Sequence, residues 1–145
     1  MNNNFKQKIK LSQIGTDNME MYNKFKDKFF DGDEEAKKID ISMIDIFSLA
    51  RHGRLNQLKK VFELGIDPNS KDRFGNTILI IGAQNGNKAI IKLALRFGAQ
   101  VNMTNCMGNS ALHFCYEYGY ISLAKYLIRK SANDQITNIK GFQAF

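Results

Sequence analysis

The chain contains no tryptophan, one proline and two cysteines among 145 residues. Cys106 and Cys115 are too few for a disulfide framework, which points to a reducing compartment. No uninterrupted apolar run approaches the roughly 18 residues a spanning helix needs, so no membrane span is expected. A secretory signal is not expected either, because the lysines of residues 1–14 are followed by no apolar h-region. The same stretch lacks acids but also lacks the arginines of a typical transit peptide, which leaves organelle import open. Acidic residues are the minority, 14 against 21 basic, for a formal net charge of +7. Hydrophobic residues make up 43%, enough to pack one core, and the length fits one domain. An intracellular, cytoplasmic protein is the expectation, with a cytoskeletal, ciliary or organellar assembly as the alternative.

What the sequence does have is a period. Gly53, Gly86 and Gly119 are 33 residues apart, as are Gly75, Gly108 and Gly141. Gly65 and Gly98 share that spacing, with Ser131 at the next step. Leu79 maps onto Leu112, and Thr77 onto Ser110. Three glycine registers with one period mark a repeat architecture. Within one period, Gly75 sits where a turn needs positive φ. Thr77 follows as a helix N-cap, and Leu79, Ile80 and Ala83 are spaced to share a helical face. That helix stops near Asn85 and Gly86. A second runs through Ile90, Ile91, Leu93, Ala94 and Leu95, with Arg96 at its negative end and Gly98 as the residue beyond its cap. Each unit is thus a turn, two short antiparallel helices and an extended return.

This pattern resembles the ankyrin repeat over about three quarters of the chain. The family's Asp-x-x-Gly-x-Thr-Pro-Leu-His opening is visible in residues 72–86 and again in 105–119, where Ser110-Ala-Leu-His113 stands for the Thr-Pro-Leu-His box. The closing Gly-Ala-x-x-Asn appears as residues 98–102 and earlier as 65–69. The resemblance implies an all-α, ankyrin-type helix-turn-helix solenoid with repeats at 39–71, 72–104 and 105–137. A truncated fourth follows at 138–145, and residues 1–38 form an N-terminal extension. Proline is missing from both boxes, where Ile78 and Ala111 stand, so some pre-organisation of the first helical turn is lost. In the first repeat Ser42-Met-Ile-Asp45 is expected to cap the helix, with Asp45 in its first turn. Residues 138–145 offer a turn and no helices. Two outcomes stay open for the far side of the third repeat: Phe142 and Phe145 fold back as a cap, or another protein completes the stack.

The extension has its own texture. Asp17-Asn-Met-Glu20 has the form of a capping box opening a helix to about Phe30, on which Tyr22, Phe25 and Phe29 form an apolar stripe. It reads as an extended cap on the first repeat or as an arm for a partner.

Catalytic and metal chemistry finds no support. His113, Cys106 and Cys115 match no paired Cys-x-x-Cys zinc spacing. A Cys–His pair on one short helix lacks a third, orienting group. The glycines follow the repeat and form no phosphate loop. The resemblance instead makes His113 the box histidine, which ties neighbouring turns together, and Cys115 a small core residue. No enzyme activity, cofactor, metal or small-molecule substrate is expected. Nucleic acid is not expected either, in the absence of an aromatic-and-basic stacking motif. Lys88, Lys92, Arg96, Lys125, Arg129 and Lys130 all fall on second helices and would stack into a basic outer face, which would speed association with acidic surfaces.

Solenoids of this kind bind protein partners through turn tips and the exposed side of the first helices. Carried over position by position, the tips give Arg73, Phe74, Asn76, Cys106, Met107 and Asn109, then Ile139, Lys140 and Phe142. The first helices give Gln84, Asn85, Glu117 and Tyr118. Phe74 and Met107 hold equivalent tip positions, where water favours polar side chains, so they are candidate anchors. The expected function is a non-catalytic protein-interaction module, most simply a structural or scaffold subunit of a larger complex. A free-standing regulator of one soluble partner, or the recruitment subunit of an enzyme complex, is the alternative.

Overall fold

The structure, a computed structural model, describes residues 44–145, so the expected helix with Tyr22, Phe25 and Phe29, and the whole 1–38 extension, lie outside the described residues. Six helices form three antiparallel pairs: α1 (Ile46–Arg51) with α2 (Leu55–Glu63), α3 (Ile78–Gln84) with α4 (Lys88–Arg96), and α5 (Ala111–Glu117) with α6 (Ile121–Arg129). The described residues contain no strand, only an isolated antiparallel bridge between Thr104 and Ser110.

Helices of six to nine residues are too short to persist on propensity, so caps and packing define them. Thr77 caps α3 by accepting the Ile80 N–H at 3.2 Å, and Asn87 caps α4 by accepting the Ile90 N–H at 3.2 Å. In the first repeat the expected first-turn place of Asp45 is corrected, and Ser42, the start of the expected cap, lies outside the described residues. Asp45 is itself the N-cap, its Oδ1 accepting from the Phe47 and Ser48 amides at 3.0 Å each. The physical reason is that a carboxylate reaches two orphan amides at once and carries the charge the helix dipole favours. So α1 starts one residue later than the 33-residue period places it.

The inner helices α1, α3 and α5 pack side by side, with α2, α4 and α6 behind them as an outer layer. Between its two neighbours α3 has no polar face: Ile78, Leu79, Ile80 and Ile81 are each at most 1% exposed. Burying each of these contributes roughly 1.5–3 kcal/mol. Within the pair, α3 and α4 approach so closely that a Cβ on Gly82 would lie 2.9 Å from Ile91 Cγ1.

The turns between pairs are built three times from one plan. Asp72 Oδ1 accepts the amides of Phe74 and Asn76. Asn105 Oδ1 accepts those of Met107 and Asn109, and Asn138 Oδ1 those of Lys140 and Phe142. Successive turns then bond to each other. Cys106 N–H donates to the Phe74 carbonyl and Ile139 N–H to the Met107 carbonyl, each at 3.0 Å. Asn105 Nδ2 donates to Asn76 Oδ1 at 3.0 Å, and Asn138 Nδ2 to Asn109 Oδ1 at 2.9 Å. Gly75 (φ 76°) is required here twice over, since a Cβ would also stand 2.8 Å from the Cys106 backbone nitrogen.

The closing asparagines do the same at the opposite end of the units. Asn69 accepts the Gln100 N–H at 2.8 Å and donates to the Gly98 carbonyl at 3.3 Å. Asn102 accepts the Asn133 N–H at 2.7 Å and donates to the Ser131 carbonyl at 3.2 Å. Each repeat is therefore pinned to the next at both ends. Ser131 stands where the period puts glycine and keeps the left-handed conformation, φ 68°.

The C-terminal segment resolves the two open outcomes by dividing them. Residues 138–142 add the last of the three turns to the stack, and Ala144 is buried at 7% exposure. Phe142 and Phe145 stay outside, at 65% and 68% exposure. Phe145 only meets the Tyr116 ring edge-on, with centroids 6.4 Å apart. The fold-back is thus made by backbone, the Asn138 amide and one buried methyl group, and Ile121 and Ile128 on α6 remain exposed.

Candidate interaction surface

The expected site residues fall into three groups. Arg73, Phe74, Cys106 and Met107 are exposed along the turn tips, with Ile139 and Lys140 continuing the two rows. Phe74 is 53% and Met107 44% exposed, held 33 residues apart on turns whose backbones are hydrogen-bonded together. The Arg73 guanidinium carbon lies 4.6 Å from the Phe74 ring centroid, covering one face of that ring and leaving the rest to solvent.

The second group surrounds a cavity of about 510 Å³ on the inner side of the last two turns. It collects Met107, Asn109, Glu117, Lys140 and Phe142 from the expected set. The sequence reading missed its floor and far wall, formed by His113, Tyr116 and Phe145 among others. The tail supplies that wall, and no periodic signal announces a segment that lacks helices. His113 is 6% exposed and connects α5 to the turn at residues 138–142. Its Nδ1 accepts the Ser110 N–H at 3.1 Å, which leaves the proton on Nε2, 3.2 Å from the Phe142 carbonyl that accepts it. The box histidine thus ties neighbouring turns, as the resemblance implied.

The rest are either enclosed by the next turn or stand apart from both the tip rows and the cavity. Asn76 is 8% exposed, which corrects its expected place on an exposed tip. Its Nδ2 faces Asp72 Oδ2 at 3.4 Å and its Oδ1 receives Asn105. Asn109, half-buried, accepts from Asn138 in the same way. Buried amides need partners, and the next turn provides them. Gln84 is half-buried on α3, whereas Asn85 is exposed and donates to the Arg51 carbonyl at 3.4 Å. Tyr118 is exposed at the far end of α5, its ring stacked on Phe114 and tilted against Tyr120, away from the cavity.

Two further links stiffen the surface. Arg51 Nη2 meets Asp72 Oδ2 at 2.8 Å, joining α1 to the turn at residues 72–76. Lys71 Nζ donates to the Thr104 carbonyl at 2.9 Å, one period along. The chemistry on offer is recognition. Among the described residues no group of three or more His, Cys, Asp or Glu side chains is arranged to hold a metal ion. Cys115 is fully buried in the core, and burial pushes its thiol up to about 11, so it is a neutral packing group at physiological pH. No helix of the described residues is long and apolar enough to cross a membrane.

A search of curated proteins finds no match to the chain. The ankyrin-repeat family model matches residues 46–138 in three copies, spanning all six helices and the asparagine-linked turns between them. The chain belongs to the ankyrin repeat family and folds as an all-α helix-turn-helix solenoid.

Proposed function

We propose that the chain is a non-catalytic structural or scaffold subunit that holds a protein partner through its turn tips and the adjoining inner-helix surface. Ankyrin repeats mediate protein–protein interaction, and the scaffold role is the finer reading added here. The observation that carries it is the pair of exposed apolar side chains, Phe74 and Met107, at equivalent positions on turns locked to each other. Rigid presentation lowers the entropy lost on binding, and an apolar anchor in a polar rim is the usual composition of a binding hot spot. The cavity beside Met107 extends the same surface towards α5. Exposed Ile121, Ile128, Phe142 and Phe145 leave further apolar area at the C-terminal end, which supports a subunit seated among neighbours. Both cysteines are free thiols, in keeping with an intracellular setting as part of the proposal.

The test is affinity capture from source cells with wild-type and Phe74→Ala/Met107→Ala baits, read by quantitative mass spectrometry beside thermal melts of both. The double variant is expected to lose the specifically retained protein at least tenfold, about 1.4 kcal/mol or more. Its melting temperature should shift by less than about 2 °C, since both side chains project into solvent. An unchanged retained set would reject the tips as the binding surface. A fall in stability matching the fall in capture would make the two residues structural.

A further inference from the structure

Between Arg73 and Asn133 the sequence carries seven basic residues and one acid, Glu117. Glu117 sits on the inner helix α5 and lines the cavity, so the outer helices α4 and α6 have no carboxylate at all. On that outer layer three ammonium groups converge on one ring. Lys88, Lys92 and Lys130 place Nζ at 5.1, 5.9 and 5.8 Å from the Tyr126 centroid. The first two lie one turn apart on α4, and the third caps the end of α6, so the cluster bridges two repeats. All three lysines are exposed, and none of their ammonium groups makes an ion pair or hydrogen bond among the described residues.

A ring quadrupole attracts each ammonium group only weakly at an exposed site and neutralises none of them. Three like charges gathered this way repel one another, and a multiply charged anion relieves that repulsion. We propose that Lys88, Lys92 and Lys130, held around Tyr126, bind a phosphoryl group on a phosphorylated segment of a protein partner. All three ammonium groups lie 5.1 to 5.9 Å from one ring centroid, and a dianionic head with three acceptor oxygens matches their charge and donor groups. Tyr126 is half-buried beneath the ammonium groups, so no apolar side chain of the cluster projects past the charges to enter a bilayer. The protein-partner reading supplies only the source of the phosphoryl group, and the turn tips lie elsewhere on the solenoid.

The experiment measures fluorescence anisotropy of a labelled phosphoserine peptide and its unphosphorylated twin with the full chain at about 50 mM salt, where exposed charges are weakly screened. The phosphopeptide should bind at least tenfold tighter than its twin, weaken steeply with added salt and be displaced by inorganic pyrophosphate. Lys88→Gln/Lys92→Gln/Lys130→Gln should cost at least tenfold in affinity with an unchanged melt. The single charge reversal Lys92→Glu should act in the same direction, the triple Lys→Arg variant should retain binding, and Lys140→Gln at the tips should leave phosphopeptide affinity unchanged. Phe74→Ala/Met107→Ala should also leave phosphopeptide binding intact, which separates failure of this site from failure of the tip surface. Equal binding of the two peptides, or an equal loss with Lys140→Gln, overturns the proposal. Lysine-dependent binding to vesicles of phosphatidylserine in phosphatidylcholine, without phosphopeptide binding, replaces it with a membrane-facing role.

Discussion

Cys106 and Cys115 carry the same thiol into opposite surroundings. Cys106 is exposed at a turn tip, whereas Cys115 lies at 0% exposure on α5, its thiol raised by burial to about 11. At pH 8 a thiol reagent should therefore label one cysteine per folded chain quickly, and the second only on denaturation; peptide mapping should place the fast site at Cys106. The pH dependence has a definite sign. Because the folded thiol holds its proton more tightly than the unfolded one at 9.0, Cys115 leaves stability unchanged below pH 9 and lowers it as pH rises from 9 towards 11. Cys115→Ala should flatten that part of the stability profile, as read by urea titrations at pH 8 and pH 10. Ser131 offers a second residue-level test. Its left-handed conformation costs a non-glycine residue on the order of 1 kcal/mol, and the neighbouring repeats place Gly65 and Gly98 at this position. Ser131→Gly should raise stability by up to about 1 kcal/mol, part of the relief being offset by the freer unfolded chain. A fall in the urea midpoint would show that the Ser131 side chain holds something the backbone geometry does not reveal.

At the scale of elements, the turn outweighs the helix as the unit that orders this fold. Asn105 illustrates why. One amide accepts two backbone N–H groups of its own turn and donates to Asn76 of the turn before. Asn105→Ala removes all three bonds and leaves the buried Asn76 oxygen without its donor, a loss of roughly 3 kcal/mol. Asn138→Ala removes the same three bonds at the rim, where water replaces them, and should cost less than half as much by chemical denaturation. Equal losses would mean that the ladder is not stiffer inside the stack than at its end. These turns were legible in the sequence because glycine at 75 and 108 and a capping hydroxyl at 77 and 110 are demanded by backbone geometry, which leaves few alternatives. The helix pairs followed from the same spacing. What escaped was anything settled by a partner far along the chain. Asn76 and Phe74 are two residues apart on one turn, yet one is enclosed by a side chain 29 residues away and the other meets solvent. The start of α1 escaped for a local reason instead, since an aspartate that caps two amides overrides the period.

Across the whole molecule, stability is carried between neighbours. The inner helix α3 is covered by α1 on one side and α5 on the other, while α6 keeps Ile121 and Ile128 exposed at 47% and 40%. In a stack coupled only through adjacent units, an end repeat opens at the cost of one interface and a central repeat at the cost of two. Native-state hydrogen exchange should therefore be graded along the chain. Amides of α3, where Ile78–Ile81 form the driest part of the core, should open at the global unfolding free energy. Those of α6 should exchange at least tenfold faster under the same conditions. Binding of a partner at the C-terminal end would raise protection in α6 first and leave α3 nearly unchanged, because the central repeat already has both its neighbours. Uniform protection from α3 to α6 in the isolated chain would contradict the gradient. It would mean that the turn at residues 138–142, through His113 and the Phe142 carbonyl, closes the stack as firmly as another helix pair does.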